Sequence, residues 1–119
     1  MLLDVHPEPE DSYVEVHTPS RVLLAGRPDQ SLYNREVLEI RAELEAVIRT
    51  GYFVREESVV FDVYDEFEDV EDWLEYAGAA ESGLTLTPEL IARARELLDS
   101  TGGRLFVRER VLASRLRRA

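Results

Sequence analysis

The stretch Tyr52–Phe67, YFVREESVVFDVYDEF, decides how the rest of the chain is interpreted, because its alternation is that of a β-strand. Most of its large apolar residues share one parity, and Val60 and Tyr64 occupy the other. The members of the first set are Phe53, Val59, Phe61, Val63 and Phe67. The polar run Arg55–Ser58 interrupts this pattern. It is either a hairpin turn between two strands or the solvated middle of one bent strand, and we favour the turn.

A long amphipathic helix is predicted immediately before this stretch, over Ser31–Thr50. Its apolar residues recur at helical spacing and form one stripe. They are Tyr33, Val37, Ile40, Leu44, Val47 and Ile48. Asp29 or Ser31 is expected to cap its first turn, and Gly51 stands where a helix-ending glycine is favoured.

Three short strands are predicted nearer the N-terminus, at Leu2–His6, Tyr13–His17 and Arg21–Ala25. The segment Pro7–Ser12 has the composition of a turn or loop, with two prolines that lack backbone donors. Strands joined by short links usually pair antiparallel. We therefore expect an antiparallel ribbon of two or three strands. Its core face would carry Leu3, Val5, Val14 and Val16.

Two helices and a strand are predicted after Phe67. Asp69 and Asp72 have the spacing of a capping box at the start of a short helix, whose inner face includes Trp73. A loop of small residues follows over Gly78–Leu86. Thr87-Pro88 then begins a helix that Ser100–Gly103 ends, and Arg104–Leu112 forms a strand that extends at most to Leu116. This order predicts a single α+β domain over residues 1–119, with a mixed, largely antiparallel sheet and three helices packed on it.

The composition excludes several classes of protein. The chain of 119 residues has no cysteine, so disulfides, thiolate metal sites and cysteine nucleophiles are excluded. It has no apolar run long enough to cross a membrane, and its first residues do not resemble a signal peptide. We therefore expect a cytoplasmic protein. The net charge of −11 argues against a nucleic acid or an anionic membrane as partner.

The charge is distributed unevenly along the chain. Residues 1–92 carry 6 Arg against 22 acidic residues, whereas residues 93–119 carry 8 Arg against 3. A basic tail beside an acidic body predicts ion pairs between the two. Such pairs form either within one chain, if the tail completes the sheet, or between subunits. We favour the first.

The two histidines are the strongest candidates for a binding site. Asp4 and His6 are two residues apart, as are Glu15 and His17, and residues two apart in a strand share a face. If the loop after Pro7 joins an antiparallel pair, Asp4 lies near Glu15. The four side chains would then form a patch able to hold Zn²⁺ or another divalent ion. The alternative is an ordinary solvated strand face.

The order of segments resembles the C-terminal half of class I S-adenosylmethionine-dependent methyltransferases. The segments that carry the likeness are Leu2–Pro7, Gly51-Tyr52-Phe53, Phe61–Tyr64, Asp69–Leu74 and Arg115–Arg118. In that family a strand ending near Asp-x-His-Pro is followed by a helix, a long antiparallel hairpin and a tail strand. The family's Gly-rich cofactor turn has no counterpart here. The resemblance therefore implies no cofactor and no cofactor-binding residue for this chain.

Three functions remain open from the sequence. The first, which we favour, is a binding or assembly domain that is not catalytic on its own and forms a homodimer. The second is a subunit or fragment of a methyltransferase that needs a partner protein carrying the Gly-rich cofactor motif. The third is a protein that binds a metal or a small ligand through His6 and His17.

Overall fold

A computed structural model describes residues 2–79 and 84–119. Five strands and three helices follow one another along the chain. They are β1 (Leu2–Pro7), β2 (Tyr13–His17), β3 (Val22–Gly26), α1 (Ser31–Arg49), β4 (Phe53–Phe67), α2 (Val70–Ala79), α3 (Pro88–Thr101) and β5 (Arg104–Arg118). The α+β class and the three helices are confirmed. In the described residues every strand pairing is antiparallel.

Strand β5 is the centre of the sheet. All of its residues except Arg104 lie alongside β4, from Phe53 opposite Arg118 to Phe67 opposite Leu105. Its other edge is shared by two strands, because β2 pairs with Arg104–Arg108 and β1 pairs with Val111–Leu116. β3 extends the sheet beyond β2. The tail strand is therefore longer than the predicted Arg104–Leu112.

The predicted antiparallel pairing of β1 with β2 is wrong. Both strands run antiparallel to β5, so they follow each other along one edge instead of folding back as a hairpin. The chain between them stays close to β5, since the Glu8 backbone N–H donates to the Arg110 carbonyl at 2.8 Å. Two strands joined by a short link need not pair with each other when a third, longer strand can pair with both of them. Here β5 is that strand. The antiparallel pairing of β2 with β3 is confirmed.

The turn that we favoured at Arg55–Ser58 is also wrong. β4 continues through it as one strand, and its register with β5 shifts between Arg55 and Glu57. The extra residue forms a β-bulge, which bends a strand without ending it. Arginines of β5 explain why the polar run stays extended, because Arg115 and Arg117 both pair with Glu56.

Adjacent residues of β5 point to opposite faces of the sheet. Face A contains Leu105, Val107, Glu109 and Val111, and face B contains Phe106, Arg108, Leu112 and Ser114. Helices α2 and α3 cover face A around Leu105. The buried apolar cluster there comprises Val14, Val16, Phe67, Val70, Trp73, Leu90, Ala94, Leu97 and Leu105. Burial of Val14, Val16 and Trp73 agrees with the sequence pattern.

The local signals at the helix ends act as predicted. The Asp69 side chain accepts a hydrogen bond from the Asp72 backbone N–H at 2.8 Å. Thr87 is the N-cap of α3 and accepts from the Leu90 N–H at 3.2 Å. Gly102 ends that helix with φ of 64°, in the left-handed region that glycine tolerates best. Of the loop predicted over Gly78–Leu86, residues 80–83 lie outside the described part of the chain, and Gly78 belongs to α2.

Helix α1 begins differently from the prediction. Its N-cap is Gln30, which makes no capping bond through its side chain, although Asp29 accepts from the Ser31 N–H at 2.9 Å. Asp11, from the link between β1 and β2, accepts from the Gln30 N–H and the Asn34 side chain. Only part of the predicted apolar stripe is covered, because Ile40 and Val47 are about half exposed.

The molecule is elongated, with extents of 55 × 29 × 18 Å and a radius of gyration of 17.3 Å. A compact chain of this length has a radius of gyration of about 13–14 Å. We call residues 2–7, 53–63 and 111–118 the arm, and the part around the α2–α3 core the head. No helix in the described ranges is long and apolar enough to span a membrane.

Trp73→Ala is expected to destabilise the chain by about 3–5 kcal/mol, the range for emptying a large buried aromatic site. Trp73 is 3% exposed, in the centre of the head. Tyr52, which is 72% exposed, provides the control. Tyr52→Ala should change the unfolding free energy by less than about 0.5 kcal/mol. Urea denaturation measures both, and equal losses would contradict the placement of Trp73 in the core.

Candidate functional site

The four predicted metal ligands form two separate pairs. His6 Nδ1 lies 2.7 Å from Asp4 Oδ2, and His17 Nε2 lies 3.0 Å from Glu15 Oε1. Asp4 is opposite Ser114 and Glu15 is opposite Phe106, eight residues apart on β5. At about 3.4 Å per residue the two pairs are roughly 27 Å apart.

The predicted four-residue metal patch is therefore not formed. It required β1 and β2 to lie side by side, whereas they lie end to end. Within residues 2–79 and 84–119, no three His, Cys, Asp or Glu side chains come together as a metal site.

Glu15 is the centre of the network in the head. It is 5% exposed on face B and accepts from Arg108 Nε at 3.0 Å through Oε2, while His17 contacts its other oxygen. Arg108 NH1 also donates to Asp62 at 3.3 Å. Burial alone would lower the pKa of Arg108, but the hydrogen bonds and charges of Glu15 and Asp62 outweigh it and raise that pKa. The guanidinium is therefore a permanent cation that neutralises a buried carboxylate.

Aromatic rings surround this network on face B. His17 lies over Phe106 with 4.3 Å between ring centroids, and Tyr64 meets both rings edge-on. The guanidinium groups of Arg27 and Arg108 each lie 4.1 Å from the Tyr13 ring centroid. These stacked contacts hold Arg108 and His17 in fixed positions.

His6 has a different environment in the arm. It is 8% exposed, and its Nε2 is buried with no hydrogen-bond partner among the described residues. His6 lines a cavity of about 140 Å³ between α1 and face B. The other lining residues are Arg41, Leu44, Glu45, Arg55, Ser58 and Leu112.

The sequence analysis missed an unusual acid, Glu109. Burial raises the pKa of its carboxyl, and the nearby charge of Asp65 raises it further. Glu109 also contributes, after burial, to the raised pKa of Tyr33. The signal was present in the alternation of β5, which puts Glu109 in phase with Leu105, Val107 and Val111 on face A. An acid at a core position of a strand is a recognisable anomaly.

Face A of the arm is apolar, and apart from Val111, which is buried, much of it is exposed. Leu3, Val5, Val59 and Phe61 are 68%, 53%, 56% and 42% exposed. The register with β5 puts all four, with Ala113, on this face. Leu3 and Val5 thus share a face with Val14 and Val16, as predicted. The predicted burial of Leu3 and Val5 is wrong, because α2 and α3 cover face A only in the head.

Comparisons with known proteins identify no relative. No family model matches the chain, no curated protein matches it, and no solved structure matches it. The resemblance to methyltransferases stays a prediction.

Arg108→Gln is expected to destabilise the chain by about 3 kcal/mol, the lower end for breaking a buried ion pair, because Glu15 keeps His17 as a partner. Arg117→Gln is the matched control on the same strand. Its pair with Glu56 is largely exposed, so the loss should not exceed about 1 kcal/mol. Equal losses in urea denaturation would contradict the central position of Arg108.

Glu109→Gln should stabilise the chain relative to the wild type at pH 7, and this gain should shrink as the pH falls toward about 4. A raised pKa in the folded state means that protonation favours folding. The favourable contribution is complete at low pH and is lost as the pH rises through the folded-state pKa. Glutamine mimics the protonated carboxyl at every pH. Denaturation midpoints at several pH values test this, with the exposed Glu43, as Glu43→Gln, for control.

Proposed function

We propose that the chain is an assembly domain, not catalytic on its own, that forms a two-fold homodimer through face A of the arm. The observation that carries the proposal is the row of exposed apolar side chains formed by Leu3, Val5, Val59 and Phe61. Contiguous apolar surface of this kind is a common mark of protein–protein interfaces. The elongation of the arm away from the head makes the row accessible to another molecule.

Charge favours a second copy as the occupant of this face. The whole chain carries −11, which opposes association of like molecules at a distance. The arm itself is balanced, since residues 2–7, 53–63 and 111–118 contain four acids and four arginines. Two arms can therefore approach without net repulsion.

The edge of the apolar row is also suited to a symmetric contact. A shallow depression of about 260 Å³ on the row is lined by Leu3 and Val59 together with Glu57 and Arg115. A two-fold axis uses one patch twice, so each subunit's acid can approach its partner's arginine. This gives the interface an apolar centre with both signs of charge beside it, the usual anatomy of a specific interface.

The opposite net charges of the tail and the body do not add to this argument, because most arginines of the tail pair within the chain. Arg104 pairs with Glu66, Arg108 and Arg110 both pair with Asp62, and Arg115 pairs with Glu56 and Glu57. The prediction that the tail completes the sheet is thus confirmed. Dimerisation in this proposal depends on apolar burial, and moderate salt should not weaken it, because salt screens the repulsion between two acidic chains.

The resemblance to methyltransferases suggests a second occupant. A partner protein that carries the Gly-rich cofactor turn could cover the same apolar row, with this chain as its non-catalytic subunit. No contact in the described residues favours that partner over a second copy. The homodimer is therefore the proposal that we test.

Val59→Glu should convert the dimer into a monomer, because it places a charge in the centre of the apolar row. Val60→Glu is a closely matched control: Val60 is the next residue of β4, is 50% exposed and lies on face B. It should leave the dimer intact. Sedimentation equilibrium at micromolar concentration measures the mass of the wild type and both variants.

A wild-type mass near 13.7 kDa would overturn the homodimer. A dimer that both variants disrupt equally would overturn the placement of the interface on face A. Circular dichroism of each variant checks that the fold is retained.

A further inference from the structure

The Nε2 atom of His6 is the strongest sign of a second binding site. His6 is more than nine-tenths buried, and Asp4 holds its Nδ1 at 2.7 Å. The remaining ring nitrogen has no partner among the described residues. A buried polar atom without a hydrogen bond costs free energy. Unpartnered atoms of this kind call for a specific explanation.

The cavity beside His6 has room for the missing partner. A cavity needs a volume of about 10–15 Å³ to hold one water molecule. The cavity beside His6 has about 140 Å³, roughly ten times as much. The cavity lies on face B, where the helix α1 contributes Arg41 and Leu44 and strand β4 contributes Arg55 and Ser58. It is therefore on the opposite side of the arm from the proposed dimer interface.

Two guanidinium groups make this cavity suitable for an oxyanion. Each arginine has five N–H donors. Among the described residues Arg41 uses one on Glu8, at 3.1 Å, and Arg55 uses one on Glu45, at 2.5 Å. The remaining N–H groups are available to a ligand.

We propose that this cavity binds inorganic phosphate, which keeps a P–OH group near neutral pH. Arg41 and Arg55 donate to its oxygens, as arginine commonly does in phosphate recognition. His6 Nε2 makes the third contact. The carboxylates of Glu8 and Glu45 hold the two guanidinium groups and balance their charge when the cavity holds no ligand.

Hydrogen phosphate fits His6 in both of its protonation states. With Nδ1–H bonded to Asp4, a neutral imidazole presents a lone pair at Nε2, which accepts the P–OH proton. An imidazolium instead donates from Nε2 to a phosphate oxygen, and Asp4 stabilises its charge. Sulfate has the same shape but carries no proton near neutral pH, so it can satisfy the imidazolium form alone.

Nitrogen NMR of the histidine rings tests the site directly. Titration with inorganic phosphate at neutral pH should shift the Nε2 resonance of His6 and saturate in the millimolar range. His17 is the matched control, because it too pairs with a carboxylate two residues earlier but lies away from the cavity. Its resonances should not move. Sulfate should bind more weakly than phosphate at pH 8.

Arg55→Gln should weaken phosphate binding about tenfold, the effect of losing one charge-assisted hydrogen bond. Arg117→Gln, an arginine of the arm outside the cavity, should leave the affinity unchanged. His6→Asn gives a second test if it folds, and it should abolish saturable binding. These variants leave the apolar row intact, so failure here does not bear on the homodimer.

Three results would overturn the proposal. The first is an unchanged His6 resonance at saturating phosphate. The second is an equal response of His6 and His17, which would indicate a general ionic effect. The third is exchange of magnetisation between Nε2 and a resident water that phosphate does not displace, which would assign the cavity to solvent.

Discussion

Strand β5 holds this sheet together, because β1, β2 and β4 all pair with it. β5 is rich in arginine, and the strands beside it supply the acids that neutralise them: Glu66, Asp62, Glu57 and Glu56 from β4 and Glu15 from β2. Most of these pairs are exposed, and exposed pairs contribute little to stability individually. Their larger effect is on register, because a shift of one residue would move each arginine to the other face of the sheet, away from its acid.

The same pairing explains both the head and the arm. Where β5 is flanked by β2 and β4 near Leu105, the sheet is wide enough for α2 and α3 to bury face A. Farther along, where β1 replaces β2, the core cluster under α2 and α3 ends, and apolar residues such as Phe61 remain exposed. The cavity at His6 has the same origin, since the C-terminal half of α1 lies over the opposite face of this narrower region. The exposed apolar row and the cavity, on opposite faces of the arm, thus both result from where the helices lie.

The sequence was informative where structure depends on neighbours along the chain. The caps at Asp69 and Thr87 were predicted because each needs only a side-chain oxygen and an N–H a few residues away. The bulge at Glu56 was not, because the competing turn is equally consistent with the local residues and the decision lies with arginines about 60 positions later. The sequence did not predict that β1 and β2 both pair with β5, because this pairing is also non-local. Asp4–His6 and Glu15–His17 were found as pairs, but their separation depends on that non-local pairing.

The position of β5 in the order of elements has a consequence for how the protein is made. β1, β2 and β4 all need β5 as their partner, and β5 is synthesised after every other helix and strand in the described residues. Until then the nascent chain can form its helices and the β2–β3 hairpin, while β4 has no strand to pair with. Contacts such as Leu2 with Leu116 span nearly the whole sequence, and pairings of this kind form slowly. The apolar residues of β4 therefore stay exposed until β5 has been synthesised. During that period a chaperone or another copy of the chain can bind them before β5 pairs with β4.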